Sequence, residues 1–181
     1  MIRRFSTFWA ELELKCAALL AAGITLLILL NVITRTIGIA LFWVDELAIY
    51  LMIWMTFFAA SAAIHHKNSV AVTLLADALD YKQRRLLMRC VDVILFAMAL
   101  GMIYFCWRWF LPLDLLQAGL DIEVFQGETF NFIYSEITNT LPIRKVWVWL
   151  IMWFFAFGLF LHSLNNLLHP ADQHADQSGT S

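Results

Sequence analysis

The side chains able to do acid–base, nucleophilic or metal chemistry in these 181 residues are few, and they stand at particular places. Arg35 is followed ten positions later by Asp45, with Glu46 next to it. The planar fork of an arginine can hold a carboxylate through two hydrogen bonds, so Arg35 with either acid would fix two neighbouring segments against each other. The other reading is that all three are solvated charges anchoring segment ends. Three histidines, His65, His66 and His162, adjoin apolar runs. Two histidines on facing helices can ligate a haem iron from both sides, or their polar tips can simply face lipid headgroups. Cys16, Cys90 and Cys106 are odd in number, form no CxxC pair, and lie in or beside apolar stretches. They read as small packing residues rather than as a disulfide set or a zinc site. The patterns HExxH, GxSxG and CxxCH and the Walker-type glycine loop are absent. No enzymatic activity and no cofactor are expected from these residues.

The elements that would carry them are set by composition. Hydrophobic residues make up 62% of the chain and charged ones 14%, against roughly half and about a quarter in a soluble domain. The mean hydropathy is +0.75. The length suits one helical membrane unit rather than two domains. The net charge is −2 with no basic run, so nucleic acid is not an expected partner. Four segments, about 14–35, 44–64, 86–111 and 143–168, are long and apolar enough to cross about 30 Å of hydrocarbon at 1.5 Å per residue. Helices are expected because lipid leaves open backbone groups without partners, and the two-residue alternation of a barrel strand is missing. The fold class is therefore an all-α integral membrane protein with four transmembrane helices. Residues 1–13 are expected as a cytoplasmic N-terminus, 14–168 as the membrane domain and 169–181 as a disordered cytoplasmic tail. Met1-Ile2-Arg3-Arg4 resembles the start of a secretory signal, but the apolar run from Cys16 to Thr34 exceeds a signal core of about 7–15 residues. A retained first span is expected.

Orientation follows from Lys and Arg. Arg3, Arg4 and Lys15, and then Lys67, Lys82, Arg84, Arg85 and Arg89, fall on one side. The stretch 112–142 holds Asp114, Asp121, Glu123, Glu128 and Glu136 with no Lys or Arg. Both termini are thus placed in the cytoplasm, with Arg144 and Lys145 as exceptions to the bias. Trp43, Trp107, Trp109, Trp147 and Trp149 all fall near the outer face, the headgroup level that Trp prefers. Apolar residues at helical spacing in 70–79 predict a short amphipathic helix on the inner membrane surface, with a solvated loop as the alternative. The long outer connection 112–142, with Phe125, Phe130, Phe132 and Tyr134, is expected to fold back on the protein or to meet a partner. In the second span Ala59, Ala60, Ser61, Ala62 and Ala63 permit close helix approach, and Tyr50, Trp54 and Phe57 form one aromatic stripe that reads as packing. The middles of all four spans lack Asp, Glu, Lys and Arg, and no internal repeat is visible. A conducting path normally needs such groups. A scaffold beside a conducting unit is the better reading.

Several of these residues, in their order, carry a family resemblance. Asn31-Val32-Ile33-Thr34-Arg35, then Trp43-Val44-Asp45-Glu46-Leu47-Ala48, then Tyr50 and Trp54, then the small-residue run, then Lys67-Asn68-Ser69-Val70-Ala71-Val72 and Leu141-Pro142-Ile143, together resemble the DctQ-like small membrane subunit of TRAP (tripartite ATP-independent periplasmic) transporters. The resemblance spans roughly residues 10–168. It implies two partners besides membrane lipid, a large multi-span permease subunit that moves the solute with sodium and a periplasmic solute-binding protein that delivers it. Solutes of the family are typically small carboxylates and related compounds. It implies a bracing role for this chain, with the acid-rich connection as the natural contact for the binding protein. The structural or interface positions expected to matter are Arg35, Trp43, Asp45, Glu46, Tyr50, Trp54, Ser61 and Lys67. The alternative is the membrane anchor of a redox enzyme with histidine-bound haem.

Overall fold

The computed structural model describes residues 1–66 and 79–169. Its elements are α1 (Ile2–Thr36), α2 (Phe42–His66), α3 (Tyr81–Phe110), α4 (Pro112–Gln117), α5 (Ile122–Thr129), α6 (Val146–Trp149) and α7 (Ile151–Leu168). Among the described residues the extended structure is one antiparallel bridge between Ile137 and Arg144. Four helical stretches are long and apolar enough to cross a membrane: Ile2–Thr36, Phe42–His66, Tyr81–Gln117 and Val146–Leu168. The amphipathic inner-face helix expected at 70–79 and the tail from 170 onward lie outside the described residues, apart from Leu79.

α1 begins at Ile2 rather than near Leu14. At 1.5 Å per residue its 35 residues extend about 52 Å, well beyond the hydrocarbon thickness. The extension is helical because Ser6, Ala10, Glu13 and Ala17 recur at three- and four-residue spacing and are buried on one face. α1 stops where Gly38 takes φ +81. Gly38 N–H then donates to Arg35 O at 3.1 Å and Ile39 N–H to Thr34 O at 2.8 Å, the paired closure of a Schellman end that glycine makes without a Cβ clash. α3 ends at Leu111, also left-handed at φ 43, and Pro112 opens α4 at its first position, where a missing N–H costs nothing.

α1 packs along α2, α2 on α7, and α3 chiefly on α7, with α1 reaching α7 near its own N-terminus. The spans therefore lie side by side as α1, α2, α7 and α3, with the last span as the central post. In its most apolar window 44% of the last span is buried, against 6% of the first. Phe57 meets Phe155 at 5.1 Å between ring centroids, Phe96 meets Phe160 at 5.7 Å, and Phe110 meets Trp153 at 5.9 Å. Leu19, Leu26, Tyr104 and Phe105 point outward, as expected for surfaces whose solvent is lipid.

The connection between the third and last spans folds back on the bundle. Asp121 caps α5 by accepting from Glu123 N–H at 2.9 Å and Val124 N–H at 3.3 Å. Phe125 is fully buried against Tyr134, centroids 5.3 Å apart. Tyr134 donates its hydroxyl to Phe110 O at 2.6 Å, and Asn131 Nδ2 donates to Trp109 O at 2.8 Å. Burial raises the pKa of the Tyr134 hydroxyl. These contacts use carbonyls that the end of α3 leaves open.

Candidate functional site: the two polar ends of the bundle

Polar side chains gather at the two ends of an apolar bundle. Glu13 and Asn31 mark these levels on α1, and their separation of eighteen residues corresponds to about 27 Å along a helix.

At the end where α1 turns into α2, Arg35 Nη2 donates to Asp45 Oδ2 at 2.7 Å. Arg35 Nε donates to Asn31 Oδ1 at 3.0 Å, and Asn31 Nδ2 donates to the second oxygen of Asp45. One turn of α1 thus holds both oxygens of one carboxylate on α2. The Arg35 and Asp45 side chains are 59% and 47% exposed, so in water this contact contributes only about 0–1 kcal/mol.

Glu46 does not share Arg35. It turns toward the approach to the last span and accepts from Asn139 N–H at 2.8 Å, Thr140 N–H at 2.6 Å and Leu141 N–H at 3.1 Å. The Thr140 hydroxyl and the Tyr50 hydroxyl, the latter at 2.7 Å, complete five donors on one carboxylate. Tyr50 lies one turn along α2 and Trp54 one turn further, on the same face. Trp54 Nε1 donates to Val148 O at 2.9 Å, and its ring packs on Phe58 and Phe154. This capture of a backbone carbonyl accompanies the irregular step at Leu150 between α6 and α7. Lys145, which runs against the charge bias, is paired with Glu136 at 2.7 Å. Trp43 is 38% exposed at the first turn of α2.

The other end is buried. Glu13 is 2% exposed and His162 fully buried. His162 Nε2 lies 3.1 Å from Glu13 Oε2, and Trp9 Nε1 donates to Glu13 Oε1 at 2.8 Å. Ser6 Oγ stands between two imidazoles, 2.8 Å from His162 Nδ1 and 2.9 Å from His65 Nδ1. The close approach needs Gly158: a Cβ there would overlap Ser61 Oγ and Glu13 Oε1 and come within 3.2 Å of Trp9 Nε1. Ser61 Oγ and Asn165 Oδ1 are buried without a hydrogen-bond partner among the described residues. Asn166 Nδ2 donates to Ile64 O at 3.3 Å, tying α7 to the end of α2.

His65 and His162 share one depth, as their positions predict, with ring centroids 5.0 Å apart. Both Nδ1 atoms address Ser6, and the second nitrogen of His162 addresses Glu13. The rings are joined through a serine rather than set across a gap wide enough for a porphyrin. Among the described residues no three His, Cys, Asp or Glu side chains gather as a metal site. Cys16, Cys90 and Cys106 are free thiols.

Of the positions singled out in the sequence, Arg35 and Asp45 meet, Glu46 and Tyr50 meet, Trp54 reaches the last span, and Ser61 faces the Glu13 end. Lys67 lies outside the described residues. Ser6, Trp9, Glu13, Asn31, Thr140 and Gly158 are not recognisable one at a time. The spacing Ser6–Trp9–Glu13 does put three polar groups on one helical face, a weak signal that the sequence reading did not use.

A family model described as "Tripartite ATP-independent periplasmic transporters, DctQ component" matches residues 24–173. No curated protein and no solved structure matches the chain.

Proposed function

The chain belongs to the DctQ component family of the tripartite ATP-independent periplasmic transporters, and on that premise we propose that it is the non-conducting brace of such a transporter. In this reading it sits in the bacterial inner membrane with both termini in the cytoplasm. It holds a large multi-span permease subunit, which moves a small organic acid or related solute with sodium. A periplasmic binding protein delivers that solute.

One observation carries the bracing role. Among the described residues the charged side chains and histidines stand at the two ends of the bundle, and the helices between them are apolar, with one irregular step at Leu150. A path for ions or carboxylates normally needs polar groups or broken helices at mid-membrane. Here the polar groups hold helices to each other and to the 139–141 segment. The outward apolar faces of α1 and α3 suit contact with lipid and with a larger membrane partner.

Co-purification tests the partnership. The tagged chain, expressed with the large permease subunit of its transporter, should retain that subunit through size exclusion in mild detergent. Separation of the two under all mild conditions would remove the brace. In the same reading the acidic connection contacts the binding protein. Neutralising Asp121, Glu123 and Glu128 together should then weaken that contact most at low salt, because exposed charges are screened over about 8 Å at physiological ionic strength. Equal binding across ionic strengths would leave the connection without an electrostatic role.

A further inference from the structure

The buried end contains a hydrogen-bond chain whose proton positions follow from donor and acceptor chemistry. A serine hydroxyl has one proton. Ser6 Oγ faces two Nδ1 atoms, at 2.8 Å on His162 and 2.9 Å on His65. It can donate to only one of them and must accept from the other, so the two rings differ at Nδ1. His162 Nε2 faces the Glu13 carboxylate at 3.1 Å, an acceptor-only group when ionised. The proton of a neutral His162 is therefore on Nε2, which leaves its Nδ1 as the acceptor of the Ser6 O–H. His65 must then donate Nδ1–H to Ser6. The chain runs from His65 through Ser6 and His162 to Glu13, with Trp9 Nε1 filling the other carboxylate oxygen at 2.8 Å.

One added proton reverses it. A proton arriving at His65 Nε2 lets the Nδ1 proton of His65 pass to Ser6 Oγ, while the Ser6 proton passes to His162 Nδ1. His65 ends neutral with its proton on Nε2, Ser6 remains a hydroxyl, and the gained proton resides on the Glu13–His162 pair. Every group still has its partner. The cluster changes from one negative charge to none.

We propose that Glu13, His162, Ser6 and His65 form a one-proton binding site, loaded from the face where His65 reaches solvent, in which the chain direction records whether the proton is present. The site lies where α1, α2 and α7 meet. It ties these three spans together in both states. The ionisable groups around it are Glu13 of α1, His162 of α7 and His65 with the adjoining His66 of α2, whose ring is 5.1 Å from that of His65. On α3, Asp92 is buried one turn before Phe96, which packs on Phe160. Glu11 and Lys15 on α1 are exposed. The proposal stands on this geometry and does not rest on the transporter reading.

Nitrogen NMR of the full chain, labelled with 15N-histidine in lipid nanodiscs, tests it. His66, His169 and His174 are replaced by Gln so that two rings remain. At about pH 8 His65 should be the Nδ1–H tautomer and His162 the Nε2–H tautomer. As the sample is then acidified stepwise, His162 should gain its second proton. In the same step His65 should switch to Nε2–H while staying neutral. Ser6→Ala should break the coupling, so that His65 no longer changes tautomer with His162. A His65 ring that is Nε2–H at every pH, or that becomes charged before His162 does, would overturn the proposal. So would an unchanged coupled switch in a folded Ser6→Ala chain. The wild-type spectra decide the matter even if that variant does not fold.

Discussion

Two adjacent carboxylates on α2 do different work because successive helical residues point about 100° apart. Asp45 faces α1 and is held by Arg35 and Asn31. Glu46 faces the approach to the last span and gathers three backbone N–H groups. Glu46 fastens three successive residues of a distant segment at once, whereas Arg35 and Asp45 form a single exposed ion pair of small worth. Arg35→Glu should therefore change the stability of the isolated chain by no more than about 1 kcal/mol. Glu46→Ala should instead raise hydrogen exchange at Asn139, Thr140 and Leu141 well above wild type. Equal exchange in both variants would show that Glu46 does not hold this segment. The charges at 35, 45 and 46 were legible in the sequence, because they bracket a span boundary. Their division was not, because Glu46 and Thr140 are distant in sequence and backbone donors leave no mark in side-chain pattern.

At the scale of elements, the existence of the four spans follows from apolar run length alone, since lipid permits little else. Boundaries are less legible. The polar residues Ser6, Glu11 and Glu13 make the start of α1 look like an aqueous terminus. Ser6 and Glu13 are nonetheless satisfied by partners on α2 and α7, so the helix continues through them. The step at Leu150 is likewise invisible in a run of apolar residues, because it accompanies Trp54 Nε1 reaching Val148 O from another helix. The same run of α7 accepts Glu13 only because position 158 is glycine. Orientation belongs to this scale as well. Single cysteines at Gln83 near the start of α3 and at Asp121 before α5, in a background lacking Cys16, Cys90 and Cys106, both occupy exposed sites. An impermeant thiol reagent added outside intact cells stripped of their outer membrane should label position 121 and spare position 83. Labelling at 83 from that side would reverse the proposed topology.

The whole molecule is a row of spans stiffened at both ends, with its last helix as the shared post. Such a shape leaves much apolar surface outside while fixing the relative positions of α1, α2 and α7. In the proposed reading that combination serves a part that stays still beside one that moves. The connection between the third and last spans is held to the bundle as well, because Phe125, Tyr134 and Asn131 return it to the end of α3. The family was legible from the order of its motifs. The buried Glu13–His162 end was not, because it is assembled from residues 149 positions apart. The brace proposed above conducts nothing by itself. Uptake into proteoliposomes decides this. With an inward sodium gradient, the binding protein outside and a panel of labelled small carboxylates, vesicles holding the chain together with the large subunit should accumulate solute. Vesicles holding the chain alone should match empty ones. Sodium-driven accumulation by the pure chain alone would show that it conducts and is no mere brace.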